Sequence, residues 1–182
     1  MKLLKYEGYN LTFEPELLTL KVFKQLHSRD RTKDKSRFLQ ELGYIYFMED
    51  PRSDYQYITN PEERTRAIIE GEGLPKTWKV DALLQEAIDY YKTFKPTSAL
   101  LLEDTRTAVD KLREQLRDID LSAKDDKGKP IYTLNVVVST IKQVPSLVRD
   151  LDEAEKAISK ELIQSDKIRG SVEKSMYEDL NI

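Results

Sequence analysis

The chain has 182 residues, a length that is enough for one sizeable domain with a core. Hydrophobic residues make up 39% of the chain and charged residues 35%. Its formal net charge of −3 argues against a generic nucleic-acid-binding protein, which usually carries a clear basic excess. Cysteine is absent, which excludes disulfides and thiolate zinc sites. The N-terminus is too polar for a signal peptide, and no run approaches the roughly 18 apolar residues of a membrane span. We therefore predict no membrane partner and assembly in the cytoplasm.

The N-terminal residues show the pattern of an extended chain. Every second residue from Tyr9 to Phe13 is apolar, and this alternation predicts short strands or an extended arm. Leu18, Leu20 and Val22 alternate again, but Leu18, Val22 and Leu26 would also share one face of a helix. We predict a short extended arm over residues 1–20 and a helix from about Lys21 to Ser28.

A mixed-charge run precedes the second helix. Five of the nine residues from Arg29 to Arg37 are basic, and Asp30 and Asp34 lie among them. A basic run can bind nucleic acid by neutralising phosphates. The two carboxylates weaken that interpretation, and they favour either a solvated helix entrance or charge pairing with an acidic neighbouring subunit.

The second helix, predicted from about Thr32 to Met48, is apolar on more than one side. A helix at the surface of a protein normally has one apolar stripe and one wet face. The first stripe is predicted to be core and consists of Phe38, Leu42, Ile45 and Tyr46. The second stripe consists of Tyr44, Phe47 and Met48. For this second stripe, burial in the core and contact with a partner both remain open.

Further helices are predicted downstream. Asn60 and Pro61 form a helix start, since asparagine caps well and proline fits the first helical position, and Gly71 or Gly73 ends that helix. Helical periodicity then covers about Val80–Phe94, Thr97–Ile119 and Thr133–Ile163. Pro145 predicts a kink or two abutting helices in the last segment, because it removes a backbone hydrogen bond.

The pattern as a whole predicts an all-α fold, a helical bundle with a long antiparallel hairpin. The last two helical segments, joined by a polar loop at 122–130, form the predicted hairpin over residues 97–163. The predicted domain organisation is the extended arm, a helical domain over residues 21–163 and a tail over residues 164–182. The tail lacks sustained periodicity, and we expect it to be ordered only when a partner holds it.

Motifs for catalysis or metal binding are weak. His27 is the only histidine, and its neighbours Ser28 and Asp30 are adjacent in sequence, which does not make a catalytic triad. The segment Asp125–Pro130 has one glycine, and proline stands where a phosphate loop needs serine or threonine. A charged helix face is the better interpretation of four glutamates that are interleaved with arginines, Glu62, Glu63, Glu70 and Glu72. We predict no catalytic residue, no cofactor and no metal site.

Three segments carry a resemblance to a known family. They are KDKSRFLQELGYIYFMEDPRSDY (Lys33–Tyr55), PEERTRAII (Pro61–Ile69) and LPKTW (Leu74–Trp78). The chain resembles virion structural proteins of tailed bacteriophages, in particular of crAss-like phages, over about residues 15–120. The resemblance implies a homo-oligomeric ring that joins the capsid portal to the tail. It also implies contacts with the portal protein and with other virion and tail ring proteins, and genomic DNA passing through the lumen without specific binding.

We therefore expect a non-catalytic connector subunit in the virion. A ring subunit contacts its two neighbours with two different faces. The basic run, the second stripe and the following tyrosines are the expected protein interface: Arg29, Arg31, Lys33, Tyr44, Phe47, Met48, Tyr55 and Tyr57. One alternative is a phage-encoded cytoplasmic regulator or assembly chaperone that binds one protein through the aromatic helix. Another is a nucleic-acid-processing accessory factor that uses the basic run.

Overall fold

The computed structural model describes residues 3–75 and 77–168, and these residues are mostly helical. One two-stranded antiparallel sheet precedes six α-helices, in agreement with the predicted all-α class. The described elements are β1 (Leu4–Glu7), β2 (Asn10–Phe13), α1 (Lys21–Arg29), α2 (Ser36–Glu49), α3 (Pro61–Gly71), α4 (Ala82–Lys92), α5 (Thr97–Asp118) and α6 (Leu134–Ile168). Short 3₁₀ helices lie at Pro15–Thr19 and Asp54–Tyr57.

The chain divides into two compact units. We call Met1–Glu103 the N-terminal unit and Asp104–Ile182 the C-terminal unit. This division differs from the predicted organisation into an arm, one helical domain and a tail. The expected tail begins inside α6, which continues to Ile168, and residues 169–182 lie outside the described residues.

The expected N-terminal arm forms a β-hairpin that belongs to the core. Leu4 pairs with Phe13 and Glu7 with Asn10, and a two-residue turn with positive φ at Gly8 and Tyr9 joins the strands. This turn geometry matches the right-handed twist of a hairpin. The side chain of Leu4 is fully buried, so the arm contributes apolar surface to the N-terminal unit instead of reaching away from it.

The helix α2 is central to the N-terminal unit. It contacts β2, α3, α4 and the second 3₁₀ helix, and its side chains are buried on several sides. This packing accounts for a helix that is apolar on more than one face. The core also draws on the hairpin, α1, α3 and α4, and its fully buried side chains include Leu4, Leu17, Phe23, Leu26, Phe38, Leu42, Ile45 and Ile68.

A buried polar network ties the hairpin to two helices. The Arg52 guanidinium donates to both carboxylate oxygens of Asp50, at 2.7 and 2.6 Å, and to the carbonyl of Leu4 at 2.9 Å. The Tyr91 hydroxyl donates to Asp50 Oδ2 at 2.6 Å, and burial raises the pKa of this phenol. Charge-assisted bonds of this kind are stronger than neutral ones. They hold β1, the end of α2 and α4 together.

The C-terminal unit has a different character. It contains the greater part of α5, a polar connection and α6, which is a single helix through Pro145. Arg106 of α5 donates to Glu155 Oε1 of α6 at 2.7 and 3.0 Å. Within residues 104–158, Ile158 is the one buried apolar side chain. Several large apolar side chains of α6 are exposed instead, among them Leu134, Ile141 and Val148.

Candidate protein-interaction site

The turn between α1 and α2 is organised around a buried carboxylate. Asp30 Oδ1 accepts bonds from the Thr32 hydroxyl and amide, at 2.6 and 2.9 Å, and Oδ2 accepts from the Phe38 amide at 2.8 Å. The hydrogen bond from the Thr32 side chain, together with the backbone amides, lowers the pKa of Asp30 to about 2. The turn therefore has a fixed shape, which a solvated charge run would not have.

Three of the five cations in the predicted basic run are used inside the N-terminal unit. Lys35 adopts a left-handed backbone with φ of 55°, and its ammonium donates to the carbonyls of His27 and Asp30 at the end of α1. Such bonds satisfy carbonyls that have no partner within the helix. Arg29 and Arg37 are the other two.

Arg29 bridges two helices. It donates to Glu41 Oε1 in α2 at 2.6 Å and to Asp81 Oδ2 at 2.6 Å, where Asp81 also caps α4. Arg37 shares Glu41 at 2.9 Å, and the Glu41 side chain is almost completely buried. Because Arg29 holds α2 and α4 together within one subunit, its guanidinium is not available to a neighbouring subunit.

Of the predicted basic interface residues, Arg31 and Lys33 are exposed, and neither has an ion pair within the described residues. We call these two residues the basic turn.

The second aromatic stripe lies mainly in the core. Phe47 is 6% exposed, and its ring packs edge-on against Tyr6 and Tyr55. Tyr44 is also buried, and its hydroxyl lies 3.1 Å from that of Thr65. Met48 is half-buried against the same core. Of the two alternatives for this stripe, burial favours the core, and a partner could reach Tyr44 or Phe47 only if the unit rearranged.

The two tyrosines that follow α2, Tyr55 and Tyr57, differ in their exposure and contacts. The Tyr55 hydroxyl donates to Glu72 Oε1 at 2.8 Å, and burial together with this carboxylate raises the pKa of Tyr55 to about 12. A Cβ atom at Gly71 would lie 2.2 Å from the Tyr55 hydroxyl, so this glycine makes room for the ring. Tyr57, by contrast, is 73% exposed.

A further exposed tyrosine, which the sequence did not single out, lies at the tip of the hairpin. Tyr9 is 92% exposed and has a positive φ of 65°, which is uncommon for a residue with a side chain. Burial raises the pKa of nearby Tyr6, as do the charges of Glu72, Tyr9 and Asp54. We call Tyr9, Asp54, Tyr57 and Glu72 the acidic tyrosine surface.

The basic turn and the acidic tyrosine surface lie towards opposite ends of α2. The basic turn precedes Ser36, whereas the 3₁₀ helix with Tyr57 follows Glu49. Fourteen helical residues separate these ends by about 21 Å. Tyrosines that pair an apolar ring with a wet hydroxyl are enriched at protein interfaces. The unit therefore presents unlike charges at two separate places.

Comparisons with known proteins identify no relative. The chain matches no protein-family model, no curated protein and no solved structure. Among the described residues, no helix is long and apolar enough to cross a membrane. Within the same residues, no group of three histidine, cysteine or acidic side chains is arranged to hold a metal ion.

Proposed function

We propose that this protein is a non-catalytic structural subunit of a tailed-phage virion, and that it forms a ring joining the capsid portal to the tail. The resemblance of Lys33–Tyr55 and of the two following segments to crAss-like phage virion proteins supports this proposal. The observation that carries it is the pair of unlike surfaces at the two ends of α2. A ring needs such a pair, because each copy contacts the next through a heterologous interface.

The proposed ring contact pairs the basic turn of one copy with the acidic tyrosine surface of the next. Arg31 and Lys33 can approach the carboxylates of Asp54 and Glu72, and an arginine can also lie over an exposed tyrosine ring. Opposite charges across an interface steer association and fix its register. Because these side chains are exposed, the contact weakens as salt rises.

The C-terminal unit would contact other parts of the virion. We propose that α5 and α6 run antiparallel as a long hairpin, which the Arg106–Glu155 ion pair supports. Such a hairpin can reach the portal protein or another tail ring. The net charge of −3 is compatible with genomic DNA passing through the lumen without specific binding.

A charge-reversal experiment tests the proposed ring contact. The full chain at low salt is expected to form a closed ring, observed by light scattering and negative-stain microscopy, and rising salt is expected to dissociate it. The double variant Arg31→Glu, Lys33→Glu is expected to lose the ring. The double variant Lys21→Glu, Lys24→Glu is a matched control, since both lysines are exposed on α1 outside the basic turn. Equal assembly of the two variants contradicts the proposed contact.

Mass spectrometry of purified virions tests the proposed function itself. The expected result is the full chain in virions, at a copy number that fits a ring. A phage-encoded cytoplasmic regulator or assembly chaperone is the second candidate, and the exposed apolar residues of α6 favour it, since a chaperone needs a surface for its client. Detection in infected cells together with absence from virions would support that second candidate and would contradict the connector.

A further inference from the structure

The helix α6 carries an apolar stripe that the described residues leave uncovered. Leu134, Ile141 and Val148 recur every seven residues, and Leu134 and Ile141 are 63% and 53% exposed. Val138 lies on the same face. We call these four residues the α6 stripe. The segment 131–148 contains one charged residue, Lys142, in a chain that is 35% charged.

A second stripe runs beside the first and is partly covered. Val137, Val144 and Leu151 are half-buried, and Ile158 is buried, again at seven-residue spacing. Two adjoining apolar stripes at this spacing are typical of a helix that packs against more than one other helix. One stripe of α6 is already partly covered within the C-terminal unit, whereas the α6 stripe faces solvent.

The exposed area is large enough to support association. Together with Ile131, the α6 stripe exposes roughly 400 Å² of apolar surface, comparable with the largest patch on a typical monomer. Two such patches together bury roughly 800 Å² of apolar surface, and with the polar residues around them the contact is in the range of a small interface that supports a weak, reversible dimer. The area therefore fits a contact between two equal surfaces.

We infer that the α6 stripe packs against the α6 stripe of a second copy of this chain, with the two helices antiparallel around Ile141. Leu134 and Val148 each lie seven residues from Ile141, so a two-fold axis there places Leu134 of one copy opposite Val148 of the other. Such an isologous contact uses the same patch on both subunits.

The margins of the α6 stripe carry little charge. At 3.6 residues per turn, Asn135 and Lys142 lie beside the stripe, and Arg149 follows its end, whereas Ser139 lies on the far side of the helix. In an antiparallel pair centred on Ile141, Lys142 of each copy lies near the two-fold axis. This lysine is exposed, so water and salt screen the repulsion between the two copies.

Charges beyond the two ends of the stripe select the antiparallel orientation. The loop segment 124–129 carries three lysines and two aspartates, a net charge of +1, and its Asp125 carboxylate accepts from the amides of Lys127 and Lys129. The segment 149–153 carries Arg149 and three acidic residues, Asp150, Asp152 and Glu153, a net charge of −2. An antiparallel pair brings lysines of one copy towards acids of the other, whereas a parallel pair brings acids against acids.

This contact goes beyond the proposed ring and does not depend on it. The ring contact uses exposed charges of the N-terminal unit, and the two-fold contact uses an apolar face of the C-terminal unit. Loss of one contact therefore leaves the other measurable.

Sedimentation equilibrium of the full chain in high salt tests the inference, because high salt weakens the charged contact and retains the apolar one. The wild type is expected to form a dimer, and Ile141→Asp to weaken the dimer on the order of 100-fold, because it buries unpaired charge. Ser139→Asp is the matched control, exposed on the same helix outside the stripe, and is expected to change little. Circular dichroism verifies that both variants retain their helices. A wild type that is monomeric at about 100 µM, or an Ile141→Asp variant that associates as tightly as wild type, overturns the inference.

Engineered cysteines test the relative orientation of the two α6 helices. Because the sequence has no native cysteine, any disulfide joins two introduced cysteines. A mixture of Leu134→Cys and Val148→Cys chains is expected to form the mixed disulfide on oxidation, because antiparallel packing brings these positions together. Preferential crosslinking of Leu134→Cys to itself would require parallel helices and would overturn the antiparallel pair.

Discussion

The two units of this chain solve the problem of burying apolar surface in different ways. In the N-terminal unit, the hairpin and the helices α1 to α4 enclose a continuous core, and buried ion pairs connect its elements. In the C-terminal unit, Ile158 is the one buried apolar side chain within residues 104–158, while the α6 stripe is exposed. Stability of a folded chain comes mainly from apolar area removed from water. The N-terminal unit therefore buries its own apolar surface, whereas the C-terminal unit leaves the α6 stripe exposed to water.

The largest expected effect comes from replacing an apolar residue by aspartate, first in the N-terminal unit and then in the C-terminal unit. Phe47→Asp should destabilise the N-terminal unit by about 4 kcal/mol or more, because it removes a buried ring and buries a carboxylate in its place. Ile141→Asp should leave that unit intact, since Ile141 is exposed in the other unit. Urea unfolding followed by fluorescence of Trp78, the single tryptophan, reports the N-terminal unit. A fully folded Phe47→Asp variant would show that this ring is not part of the core.

The next effect concerns the buried charge that joins α2 and α4. Glu41→Gln should cost about 3 kcal/mol, because Arg29 and Arg37 then lose the carboxylate that compensates their charge. Glu86→Gln provides the control, as an exposed glutamate of α4. The same Trp78 unfolding measurement applies. Equal stability of the two variants would mean that Arg29 finds sufficient compensation from Asp81 alone.

Local sequence signals predicted the helices of the N-terminal unit, although α2 begins at Ser36 and not near Thr32, because Lys35 adopts a left-handed backbone. The helix start at Asn60 and Pro61 is confirmed, since the Asn60 side chain accepts from the amides of Glu62 and Glu63 and α3 begins at Pro61. These signals act within one turn of the chain. The use of Arg29 could not be predicted in this way, because its carboxylate partners lie 12 and 52 residues further along.

The face of α5 shows a second limit of periodicity. Helical spacing in the sequence places Leu101, Ala108 and Leu112 on one face of α5, but the structure exposes Leu101 and Ala108 and covers Leu102 and Val109. In each set the first two residues are seven apart, and Leu112 follows the second one by four residues in the first set and by three in the other. Spacing alone cannot distinguish them, because the choice depends on which side another element occupies.

A smaller effect is expected where the Tyr55 hydroxyl lies close to the backbone of Gly71. Gly71→Ala should destabilise the N-terminal unit by about 1–3 kcal/mol, because the new methyl group would overlap the Tyr55 hydroxyl. Tyr55→Phe removes that hydroxyl and should relieve part of the cost in the double variant. A double-mutant cycle measures this coupling. Additive effects of the two substitutions would show that the ring moves away freely.

The smallest expected effect concerns the Arg106–Glu155 ion pair of the C-terminal unit, which is more exposed than the Arg29–Glu41 pair of the N-terminal unit. Glu155→Gln removes the carboxylate that Arg106 contacts at 2.7 Å, but both side chains are partly exposed, so water and salt can replace the interaction. We expect a loss of at most about 1 kcal/mol, measured by thermal melting of helical circular dichroism, and a smaller loss in high salt. Glu114→Gln, an exposed position on α5, is the control. A loss comparable with that of Glu41→Gln would mean that the C-terminal unit depends on a polar contact of its own, and the need for a second molecule on the α6 stripe would then be weaker.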